Sequence, residues 1–95
     1  MRLLAFVDED RHFDGHCVRF QGKDGAASIC CAITAAALKE QDRHLPRHGL
    51  VPAEMFLEAF DRHQIAIHDA ARRKYHAGHV EPAGEIRILI HRQDL

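Results

Sequence analysis

Residues 52–77 read PAEMFLEAFDRHQIAIHDAARRKYHA, and the spacing of their apolar side chains decides the fold. Phe56, Ala59, Phe60, His63, Ala66, Ile67, Ala70 and Ala71 recur at three- and four-residue intervals, which places them on one stripe of an α-helix. Glu54, Glu58, Asp61, Asp69 and Arg72 fall opposite. Pro52 suits a first helical position because its missing N–H would have no partner there, and Gly78 is placed to adopt the left-handed conformation that stops a helix. One long helix is expected, covering something with its phenylalanine end.

Upstream lies a shorter helix. Thr34 can cap it through its side-chain oxygen, and residues 35–41 are good helix formers, until DRHLPRHGL at 42–50 breaks the pattern. Before that come three stretches with strand character. RLLAFV (2–7) is a short apolar run, and the polar DEDRHFDGH after it carries a hairpin signal at Asp14-Gly15. HCVRFQ (16–21) alternates, with Val18 and Phe20 on one face. After a turn at GKDG (22–25), AASICCAI (26–33) places Ile29, Cys31 and Ile33 on one face. Downstream, EPAG (81–84) reads as a turn, and EIRILIHR (85–92) sets Ile86, Ile88 and Ile90 on one face of a last strand. The expected order is β-β-β-α-α-β: an α+β fold with an antiparallel sheet of about four strands and a short and a long helix on one face.

The 95 residues suit a single domain, 1–95, that buries roughly 65% of its unfolded surface without a metal or disulfide staple. A formal charge of −1 gives no bulk electrostatic case for nucleic acid, and no segment approaches the roughly 20 apolar residues that span a bilayer. Cys17, Cys30 and Cys31 are odd in number and lack CxxC spacing, which suits reduced thiols and a cytoplasmic location without membrane association.

The unusual residue is histidine, of which there are nine. Neither His76 with His79 nor His63 with His68 has the spacing of a specific metal motif, so no metal is expected, and no cofactor-binding motif is present. Asp-Arg-His occurs at 10–12, 42–44 and 61–63, in a turn, a loop and a helix, which is not how a structural repeat behaves. His63 lies on the apolar stripe, so its ring must find a hydrogen-bond partner or open into a pocket. If a pocket exists, His63, Lys74, Tyr75 and Cys31 are its candidate ligand-binding residues. Arg72, Arg73 and Lys74 are the only concentrated positive charge and the candidate nucleic-acid contact, although cations near a helix C-terminus are favourable without any ligand.

Phe60, His63, Ile67, Ala71-Arg72-Arg73-Lys74-Tyr75, Gly78 and Glu81-Pro82 together resemble the C-terminal signature of a family of small bacterial proteins, domain of unknown function 1488 (DUF1488). Val18-Arg19-Phe20, Ile29, Cys31, Ile33-Thr34 and Ala37-Leu38 resemble its strand-to-helix segment. The resemblance implies a small α+β domain and no established activity. The expected function is therefore a non-enzymatic binding or regulatory module. A homodimer is a possible assembly, because Cys30, Ala32 and Leu89 form a second sheet face with nothing obvious to cover it. The alternatives are nucleic-acid binding through residues 72–74 and a small-ligand site or enzyme around His63, Lys74, Tyr75 and Cys31.

Overall fold

The computed structural model describes residues 4–81 and 86–95, and the architecture is α+β as expected. Strands β1 (Ala5–Phe13), β2 (Cys17–Asp24) and β3 (Ala27–Thr34) form an antiparallel meander. Helices α1 (Ala35–Gln41), α2 (Ala53–Arg62) and α3 (Gln64–His76) follow, then β4 (Ile88–Ile90) and a single 3-10 turn, Arg92–Asp94. The sheet order is β1-β2-β3-β4.

Local signals hold where their chemistry is local. Thr34 caps α1, its hydroxyl accepting from the Ala37 N–H at 3.1 Å. Gly78 has φ +79°, and the N–H groups of Gly78 and His79 donate to the carbonyls of Tyr75 and Lys74 in the pattern of a Schellman stop. The EPAG turn falls mostly on residues 82–85, outside those described.

Three expectations need correction. The helix over 52–77 is two helices: His63 leaves helical geometry at φ −110°, ψ 17°, so the order is β-β-β-α-α-α-β. Backbone bonding barely lapses there, since the His63 N–H is shared between the carbonyls of Ala59 and Phe60 and its own carbonyl accepts from Ile67. Beyond the break, Ala66 is exposed and His68 turns inward against the phenylalanines.

Second, β4 pairs parallel to β3, through Cys31–Ile88, Ala32–Leu89 and Ile33–Ile90, so the sheet is mixed rather than antiparallel. The helical layer carries the chain back over the sheet before β4, a crossover of the kind parallel neighbours require. Third, β1 runs through the polar DEDRHF as far as Phe13, with a bulge between Val7 and His12.

The core lies between the helices and one sheet face. Val18, Phe20, Cys31, Ile33, Ile88 and Ile90 from the sheet meet Phe56, Ala59, Phe60, Ile67, Ala70 and Ala71 from α2 and α3. Phe20 is central, with ring centroids 5.8 Å from Phe6 and 5.1 Å from Phe60. Gly22 leaves room for Leu4, whose side chain would lie only 3.2 Å from a Cβ at that position. The opposite sheet face is less open than its sequence suggests: Ala32 is fully buried, and Cys30 and Leu89 are half-buried.

Candidate functional site

The helix end at 72–75 is bound into the fold residue by residue. Arg72 donates from Nε to the Leu4 carbonyl at 3.0 Å and lays its guanidinium 5.1 Å from the Phe6 ring centroid. Arg73 donates to the Asp94 carbonyl at 3.0 Å. Lys74 reaches the Leu89 carbonyl on β4 at 2.7 Å and the Asp94 carboxylate at 3.0 Å. The Tyr75 hydroxyl donates to Asp24 at the end of β2, which raises the Tyr75 pKa. Burial pushes the Asp94 carboxyl up, but the His91 N–H and the Lys74 ammonium more than offset this and hold it low. Lys74 and Tyr75 thus tie α3 to the last strand and to the β2–β3 hairpin.

The four candidate ligand-binding residues do not line a common cavity. His63 is about 16 Å along the helix axis from Lys74. Its Nε2 lies 3.3 Å from the carboxylate of Asp42. Cys31 is fully buried in the core, where desolvation, then the neighbouring Cys30 and Asp8, push its thiol up to about 12 despite a hydrogen bond from the Gly22 backbone. A thiol in that state is not a nucleophile near neutral pH. In the native protein Cys31 should therefore stay unmodified by iodoacetamide over hours and react only in denaturant. Rapid native labelling, read by peptide mass spectrometry, would contradict this burial.

What sequence reasoning missed is how the three Asp-Arg-His segments meet. Arg11 of the first pairs with Asp61 of the third through two hydrogen bonds of 2.6 Å. Asp42 of the second is 1% exposed, accepts from Arg62 Nε at 2.8 Å and lies against His63, both in the third. Asp42 also accepts from the His44 N–H at 2.8 Å. Burial raises the Asp42 pKa, but the His44 N–H, the Arg62 hydrogen bond and charge, and His63 together lower it overall. The repeated tripeptide was the available signal, because each copy carries both signs of charge.

A second polar cluster sits between β1 and α3. The His68 ring stacks on Phe6 at 4.0 Å with planes 7° apart, and the Gln64 amide donates to the Asp8 carboxylate. His68 Nε2 is 2.9 Å from Asp8 Oδ2 but outside hydrogen-bond geometry, and Asp8 Oδ1 is buried without a hydrogen-bond partner.

The loop over 42–52 is pinned by Asp42 and by Leu45, which is 3% exposed, while Arg43, His44, Arg47, His48 and Leu50 project into solvent. An open recess of about 280 Å³ lies between α3 and the C-terminal turn, lined by Ala70, Arg73, Lys74, Ala77, His79, Gln93 and Asp94. Among the described residues, no three His, Cys, Asp or Glu side chains are grouped to hold a metal. No helix among the described residues is long and apolar enough to cross a membrane.

A family model described as "Protein of unknown function (DUF1488)" matches residues 4–88. No curated protein and no solved structure matches the chain.

Proposed function

Because the chain belongs to the DUF1488 family, whose description carries no activity, we propose from its own geometry that it is a non-enzymatic binding or regulatory module. Its contact surface is the α1–α2 loop. The observation that carries this reading is the contrast within the loop: Asp42 and Leu45 are buried while Arg43, Arg47 and a wholly exposed Leu50 face outward. Binding residues fall disproportionately on surface loops held by a rigid scaffold, and pinning such a loop before contact lowers the ordering cost of binding. The nucleic-acid alternative rests on Arg72, Arg73 and Lys74, but Arg72 is paired with Asp69 and Lys74 with Asp94, so only one cation of the three lacks a carboxylate partner among the described residues, too little for a track along a polyphosphate backbone.

The test compares wild-type protein with the triple variant Arg43→Glu, Arg47→Glu, Leu50→Asp, each immobilised and exposed to extract of the cells the protein comes from. Asp42 and Leu45 are untouched, so the two should melt alike. A partner held by wild type and lost from the variant supports the loop; identical recovery from both rejects it.

A further inference from the structure

We propose that the recess between α3 and the C-terminal turn binds a small phosphate-bearing ligand. This site is separate from the α1–α2 loop, and its observations are independent of that reading. Ala70 on α3 and the capping residue Ala77 line the recess together with Arg73 and Lys74, at three- and four-residue spacing. At both alanine positions the side chain is no larger than a methyl group. Its volume of about 280 Å³ lies just below the usual range for small-molecule sites, which suits a phosphate or a sugar phosphate rather than a dinucleotide.

Its charge is unbalanced. Lys74 pairs with the Asp94 carboxylate at 3.0 Å. Arg73 instead donates only to the Asp94 backbone carbonyl, and no carboxylate among the described residues pairs with it. One guanidinium thus lines the recess without a carboxylate partner among the described residues, together with an ammonium and the imidazole of His79. Arginine's planar fork suits phosphate oxygens. The adjoining helix end does not repel an anion strongly, because the carbonyls of Arg73, Lys74 and Tyr75 are occupied by the N–H groups of Ala77, His79 and Gly78.

Amide NMR spectra of the full chain, titrated with inorganic phosphate and with ribose 5-phosphate at ionic strength matched by sodium chloride, test the proposal. Both ligands should shift the amides of residues 73–79 and 93–94 along saturable curves that chloride does not reproduce. Tighter binding of the ester identifies a sugar phosphate as the ligand, and equal binding identifies free phosphate. Ala77→Leu fills the recess and leaves every charge in place. It should raise the half-saturation concentration at least tenfold at an unchanged melting temperature, and Arg73→Ala should also raise it at least tenfold. A response that is absent, that chloride matches, or that survives Ala77→Leu overturns the site.

Discussion

Phe20→Ala is expected to destabilise the protein by about 3–5 kcal/mol, the range for deleting a buried phenyl ring that its surroundings cannot collapse around. Phe20 is 2% exposed at the middle of β2 and contacts rings from three other elements: Phe6 on β1, Phe60 on α2 and His68 on α3, at 5.8, 5.1 and 5.9 Å between centroids. No single neighbour can move into the space without leaving another. Domains of this size hold about 5–15 kcal/mol in total, so the variant should lie near the edge of folding. Urea unfolding followed by far-UV circular dichroism measures the loss. A midpoint shift worth under 1 kcal/mol would mean that the aromatic cluster is not the centre of the core.

Asp42→Ala is expected to cost about 2–3 kcal/mol, as several hydrogen bonds to one charged group would suggest. The figure is set below that for a fully buried ion pair because Arg62 is 42% exposed and can return to water when its partner is removed. The pH dependence has a definite sign. The folded Asp42 carboxyl titrates below the ordinary aspartate value, so its contribution is complete above the usual carboxylate range, near about 4. That contribution is lost as pH falls through the lowered folded value. Wild type should therefore lose stability on acidification that Asp42→Ala no longer has to lose, and the two unfolding curves should converge once the pH has fallen through the lowered folded value. Parallel curves through that range would show that the carboxylate is not the group responsible. Asp42→Asn should recover part of the loss at neutral pH, since an amide oxygen still accepts from the His44 N–H.

The misread elements share a cause. The polar DEDRHF resembles a turn because strand assignment relies on alternating apolar residues, yet in β1 the inward positions are held by Asp8 and Arg11. Their partners, Gln64 and Asp61, are 56 and 50 positions away. The break at His63 follows the same logic: nothing in FDRHQI forbids a continuous helix, but Asp42 lies beside Arg62 and His63. Lys74 and Tyr75, which helix electrostatics alone leaves unexplained, are explained once Asp94 and Asp24 are seen beside them.

From the sequence alone came the β-β-β start, the Thr34 cap, the stop at Gly78, the apolar faces of β2, β3, α2 and β4, and the family. Each depends on residues within a few positions of one another, where backbone geometry and side-chain period are decided. Tertiary structure alone decided the parallel pairing of β4, the length of β1, the break at His63, the interlocking Asp-Arg-His segments and the recess beside Arg73. Those depend on which charges meet after the chain has closed, and a Coulombic or hydrogen-bonded pair leaves no periodic trace in the sequence between its members.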